Sequence, residues 1–140
     1  MNQAYTKTIL GLSVAGVLFA GYLSFFKLFT GNCALNEPCP FFLGYPACWY
    51  GLVLFVILMI QSIIALTINF PTCRYGIPVV SLTGTIFSGS FVYGDVMTWL
   101  TSGQSYALIL PSCVYGFIVF AVIFVLSLLA RKQGGAGIMN

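Results

Sequence analysis

The reactive chemistry in this sequence is confined to five cysteines: Cys33, Cys39, Cys48, Cys73 and Cys113. Three of them sit in a recurring phrase, Pro-x-Cys-x-Tyr-Gly, at Pro46–Gly51, Pro71–Gly76 and Pro111–Gly116. Each copy opens a long apolar run. Proline suits the first turn of a helix, where its missing N–H has no intrahelical partner to lose. Cys48 and Cys113 therefore fall at helix starts. A helix N-terminus carries partial positive charge and unpaired amide donors. Both favour the thiolate, the form that attacks disulfides. This placement suits thiol–disulfide exchange. It equally suits a structural bridge between Cys48 and Cys113, or two small apolar side chains that pack. Cys33 and Cys39 flank five residues of a loop rich in Asn and Pro, residues with turn chemistry. That spacing favours an intraloop disulfide, either structural or an electron shuttle. Cys73 reads as a packing residue.

Other chemistries lack their residues. The chain has no histidine, which removes a His base and any His-ligated metal or haem; no metal or haem is expected. No phosphate loop, paired catalytic carboxylates or Ser/His/Asp set can be assembled, which argues against hydrolases and nucleotide-dependent enzymes. The net charge of +3 forms no basic stripe with interleaved aromatics, so no nucleic-acid partner is expected.

The elements that must position the cysteines follow from composition. Of 140 residues, 60% are hydrophobic and 5% charged, against roughly 25% charged in soluble domains. Seven charges cannot cover a surface in water, so the expected partner is a lipid bilayer. Four runs reach the roughly 20 residues that span it as helix: about Thr8–Phe29, Ala47–Phe70, Ile77–Leu100 and Leu108–Ala130. The third helix starts at Pro71 or at Pro78. Barrel strands would be shorter and would alternate in polarity. The first run is long for a cleavable signal and has only Lys7 as basic flank, so it reads as a retained span. Lys7, Arg74, Arg131 and Lys132 fall on one side of a four-span arrangement; Lys27, Glu37 and Asp95 fall towards the other. The positive-inside rule then places both termini and the Asn69–Gly76 turn in the cytoplasm, with the loops Thr30–Tyr45 and Thr101–Leu110 outside. The expected location is a bacterial-type inner (plasma) membrane. Cys33, Cys39, Cys48 and Cys113 then lie at or near the outer face, where thiols can oxidise, and Cys73 inside.

The spans repeat. Tyr50, Gly51, Phe55 and Ser62 recur as Tyr115, Gly116, Phe120 and Ser127; Gly16, Phe19 and Gly21 recur as Gly84, Phe87 and Gly89. The chain reads as one membrane domain, an all-α four-helix bundle of two parallel helical-hairpin repeats, about 8–70 and 71–132. A pseudo-two-fold axis along the membrane normal would relate them. Gly16, Ala20 and Ser24 form a small-residue line at four-residue spacing, and Gly84 and Ser88 another. Such lines let helix backbones approach closely. Lys27 and Asp95 occupy matched positions with opposite charge. Either they pair across the axis, or Lys27 snorkels and Asp95 faces water.

With these residues in place, the chain resembles the vitamin K epoxide reductase family and its relative, the bacterial disulfide-bond oxidase family. The likeness rests on a four-helix membrane bundle with a cysteine pair, Cys33 and Cys39, in the first outer loop. It also rests on Gly44-Tyr45-Pro46 opening the second helix, the Cys48-x-Tyr50 that follows, and Cys113 opening the fourth. The resemblance implies that Cys33 and Cys39 relay electrons and that Cys113 is the second cysteine of a quinone-facing pair. It further implies a quinone bound among the outer helix ends and an extracytoplasmic thiol protein as partner. The families' Cys-x-x-Cys is absent: Leu110 stands where its first cysteine would, and Cys48 is the substitute partner from the other repeat. Phe41, Phe42, Trp49 and Tyr115 are the aromatics expected to line the quinone pocket. The functional expectation is a thiol–disulfide oxidoreductase of the outer face, quinone-linked, with Cys48 and Cys113 as inner pair. The alternative is a non-enzymatic structural or accessory subunit of a membrane complex, its cysteines acting as disulfide staples. A small transporter is disfavoured, because such proteins need an ionisable residue deep in the membrane, and no span centre carries one.

Overall fold

The computed structural model describes residues 3–31, 41–68, 71–103 and 112–136. They form α1 (Gln3–Thr30), a short hairpin of β1 (Phe41–Phe42) and β2 (Tyr45–Pro46), α2 (Ala47–Thr67), α3 (Pro71–Ser102) and α4 (Ser112–Ala136). Cys33, Cys39 and Glu37 lie outside the described residues. Each helix is long and apolar enough to cross a bilayer. This is an integral membrane protein with the expected all-α, four-helix architecture. Its outside is apolar: Leu18, Phe29, Val79, Ile86 and Val125 are all exposed. In water such a surface would be an aggregation site; in lipid it is solvated.

α1 packs on α2 and α3 on α4, and the ring closes through α2 against α3 and α1 against α4. The start of α1 and the end of α4 lie at one end of the bundle, the terminal end, and the β-hairpin lies at the other. Prolines set several helix starts. Pro46, at φ −65°, precedes α2. α3 begins at Pro71 and carries Pro78 inside it, so residues 71–76, expected as part of a turn, are the first turns of α3. Pro71 loses no needed hydrogen bond there, and the helix runs on through Pro78 at the cost of one backbone bond. Glycines end two helices. Gly31 (φ 68°) and Gly103 (φ 60°) adopt the left-handed conformation and donate their N–H groups to Lys27 O and Trp99 O, at 3.0 and 3.2 Å. The described helix thus extends past Leu100, the end expected for the third span.

The hairpin was not among the expected elements. Phe41 pairs with Pro46 and Phe42 with Tyr45, around a turn with Leu43 at φ 52° and Gly44 at φ 86°. Two positive φ values in a two-residue turn match the twist of antiparallel strands. Packing holds the strands: the Phe42 ring stands edge-on to Tyr50 at 5.5 Å and Phe87 at 5.6 Å, and Tyr50 Oη donates to Phe42 O at 3.2 Å.

At the centre, Phe55 of α2 and Phe120 of α4 stack with centroids 4.2 Å apart and planes 9° from parallel. Each ring presses into a glycine of the helix beside it. A Cβ at Gly84 would lie 2.5 Å from Phe120 Cδ1, and one at Gly16 would collide with Phe55 in the same way. Lipid tails are as apolar as the core, so van der Waals fit of this kind carries helix association. Nearer the terminal end, Ile9, Leu58, Ile77 and Ile123 are fully buried, along with Ser13, Ser62, Ser81 and Ser127. These four hydroxyls donate to carbonyls of their own helices: Ile9, Leu58, Ile77 and Phe124, at 2.7–2.8 Å. A membrane interior allows no other arrangement without a polar neighbour. Positions matched along the sequence thus have matched surroundings here: Gly16 with Gly84, Phe55 with Phe120, Ser13 with Ser81 and Ser62 with Ser127. Lys27 and Asp95 are both half-buried, near the β-hairpin ends of α1 and α3.

Candidate functional site

Above the Phe55–Phe120 stack, towards the β-hairpin end, the four helices leave a cavity of about 60 Å³. Cys48 in the first turn of α2 and Cys113 in the first turn of α4 both line it, with Ser112 beside Cys113. Both cysteines are half-buried thiols, not joined in a disulfide. Phe19 and Phe87, matched across the repeats, also line it. The structure therefore brings together two of the four cysteines expected at the site; the loop pair lies outside the described residues. Cys73 belongs to the first turn of α3, at the terminal end, away from this cavity.

A second concavity lies on the lipid-facing side of α2 and α3, roofed by the hairpin. This groove holds about 600 Å³. Phe42, Tyr45, Trp49, Tyr50, Thr83 and Phe87 form most of its wall, and no charged side chain lines it. Trp49 stacks on Tyr45 at 5.6 Å. Tyr50 Oη is spent on Phe42 O, and Thr83 Oγ1 on Val79 O at 2.9 Å. Trp49 Nε1 is buried with no hydrogen-bond partner. An indole N–H is a donor only, and burying it unpaired costs about 1–3 kcal/mol.

The aromatics expected around a quinone do not form one pocket. Phe42 and Trp49 line the groove. Tyr115 does not; it stands edge-on to Phe19 at 6.2 Å, on the opposite side of the cavity. The cause is the internal repeat: Tyr115 matches Tyr50, and Tyr50 meets Phe87 at 5.6 Å as Tyr115 meets Phe19. Phe41 forms part of β1, and its side chain lies outside the description.

A quinone ring can be tested against both spaces. A benzene ring occupies a cavity of roughly 150 Å³, so the thiol cavity admits a few waters and no quinone. The groove has the size and the apolar aromatic lining, while Trp49 Nε1 is buried beneath that lining. Phe87 is the residue that sequence reasoning missed, since it borders both spaces. Its match to Phe19 in the repeat was visible, but only folding shows that one of the two also walls a groove. No family model, no curated protein and no solved structure matches this chain.

Proposed function

We propose that this protein is a membrane thiol–disulfide oxidoreductase whose reacting pair is Cys48 and Cys113. The observation that carries the reading is their convergence: two cysteines, each in the first turn of its helix, line one small cavity. Oxidation of the pair breaks two S–H bonds, forms one S–S bond and releases two electrons and two protons. A quinone, when bound, supplies the acceptor for both. The groove residues Phe42, Trp49 and Tyr50 would hold its ring. The helix N-termini favour the thiolate at each cysteine, which speeds exchange with an incoming disulfide or dithiol. Cys33 and Cys39 are proposed to pass the disulfide to a dithiol protein, which leaves Cys48 and Cys113 reduced again. The β-hairpin end is proposed to face outside and both termini the cytoplasm.

A thiol-trapping gel shift tests this. Membranes are treated with a bulky maleimide before and after mild reduction, for wild type, Cys48→Ser and Cys113→Ser. The reading expects a Cys48–Cys113 bridge that mild reductant opens and added quinone restores, and that either serine variant abolishes. Two thiols that stay unreactive and unbridged under quinone would overturn it and leave an accessory bundle.

A further inference from the structure

The positive charge of this chain is gathered at one end of the bundle. Lys7 lies near the start of α1, Arg74 in the first turn of α3, and Arg131 and Lys132 near the end of α4. The acidic residues lie elsewhere: Asp95 stands towards the β-hairpin end of α3, and Glu37 precedes the hairpin in the sequence. Helices α1, α2 and α4 and the terminal half of α3 carry no carboxylate side chain. The terminal end thus brings four cationic residues together with no acidic residue beside them to neutralise the charge. Part of this cluster has a fixed geometry. The Arg131 guanidinium lies 4.7 Å over the Tyr75 ring, a cation–π contact that ties α4 to α3. Such a contact uses no hydrogen-bond acceptor, so the guanidinium N–H groups keep their capacity to donate to an oxygen. Their planar fork matches a phosphate. Tyr75, Arg131 and Lys132 are all exposed, so the fork is open from outside the bundle. Its depth is set as well: the apolar stretch of α3 starts at Tyr75 and that of α4 ends at Lys132. Aromatic rings and long basic side chains at such span ends sit at the level of the lipid headgroups.

We propose that the terminal ends of α3 and α4 form a binding site for the headgroup of an anionic phospholipid. The Arg131–Tyr75 clamp donates to the phosphate, and Lys7, Arg74 and Lys132 supply the positive field around it. Charge complementarity selects the occupant. A zwitterionic headgroup would bring its own cation to a place that is already cationic, whereas an anionic headgroup supplies the charge that the protein lacks there. Clusters of basic residues flanking membrane helices recognise anionic lipid on these terms. The site depends neither on the thiol-pair reading nor on which leaflet the terminal end faces.

The test is native mass spectrometry of the full chain in a non-ionic detergent, titrated with short-chain phosphatidylglycerol or phosphatidylcholine. The first phosphatidylglycerol is expected to bind about tenfold more tightly than phosphatidylcholine, since several basic residues act on its charge. Equal affinities for the two lipids would overturn the proposal. Arg131→Gln is expected to weaken phosphatidylglycerol about fivefold, the worth of one basic residue at a membrane surface. Tyr75→Leu keeps every charge and removes the ring that holds the guanidinium; it is expected to weaken binding about threefold. Tyr75→Phe restores a ring and is expected to bind as wild type does. Lys27→Gln removes one positive charge near the opposite end and is expected to change nothing. Equal losses in Arg131→Gln and Lys27→Gln, or no loss in Tyr75→Leu, would mean diffuse attraction to the net charge and would overturn the site. Inorganic phosphate, added at matched ionic strength, is expected to leave the lipid bound. Displacement of phosphatidylglycerol by it would mean a site for soluble phosphate and would overturn the lipid assignment.

Discussion

Leu43 bears the clearest local conflict among the described residues. It holds φ 52° with a branched side chain that is 80% exposed, so no burial offsets the left-handed backbone, which costs an L-residue roughly 1–2 kcal/mol. Leu43→Gly or Leu43→Asn is therefore expected to stabilise the hairpin by about 1 kcal/mol, read as a higher thermal midpoint in detergent. Gly44→Ala is expected to lower it, since φ 86° suits glycine alone. Equal midpoints for all three would mean that the hairpin is not part of the cooperative unit. The same scale explains why Trp49 matters more than its neighbours. Tyr50 and Thr83 have used their hydroxyl donors, and Trp49 has not. Trp49→Phe keeps an aromatic ring and deletes the unpaired donor. It should cost no stability, read as an unchanged thermal midpoint in detergent.

At the scale of elements, the two helical hairpins are each locked by an aromatic ring in a glycine notch, and then to each other by the stack of those rings. A methyl group at either notch must displace a phenyl ring that is itself stacked. Gly16→Ala and Gly84→Ala are each expected to destabilise by about 1–3 kcal/mol, the usual range for overpacking, and by similar amounts. Phe55→Leu in the Gly16→Ala background should recover part of the loss, while Phe120→Leu should not. A double-mutant cycle measures the difference. This much was legible in the sequence, because glycine, phenylalanine and serine recur at fixed offsets and helix packing depends on such local periodicity. The spans were legible for the same reason, though Pro71 and Gly103 set ends beyond those that hydropathy gave. The hairpin was not: Leu43-Gly44 lacks the Asn-Gly or Asp-Gly turn signal, and its strands are held by rings from α2 and α3 that only folding assembles. The separation of Tyr115 from Phe42 and Trp49 was legible in principle, since the repeat that matches Tyr115 to Tyr50 already places them on opposite sides of the axis. The double role of Phe87 was not, because the groove it borders is completed by Phe42 and Tyr45 of the hairpin, which only folding brings to α3.

For the whole molecule, the decisive variable is which way the bundle faces. Lys7, Arg131 and Lys132 mark the terminal end, and Arg131 is also fixed there by its guanidinium, 4.7 Å over the Tyr75 ring. Arg74 lies in the first turn of α3 at the same end. Cytoplasmic retention of such clusters orients short-looped proteins, so the β-hairpin end, with Cys48 and Cys113, should face the compartment where disulfides persist. In a Gln3→Cys variant, an impermeant maleimide applied to intact cells should leave the introduced thiol unlabelled until lysis. Replacing Lys7, Arg74, Arg131 and Lys132 with Gln leaves Lys27 as the remaining basic residue, near the opposite end, and should expose that thiol to label in a substantial fraction of molecules. Labelling of the Gln3→Cys variant with its basic residues intact would turn the thiol cavity towards the reducing cytoplasm. Cys48 and Cys113 would then stay reduced whatever the groove binds, and the glycine-notched bundle would stand as a packing solution without an oxidative role.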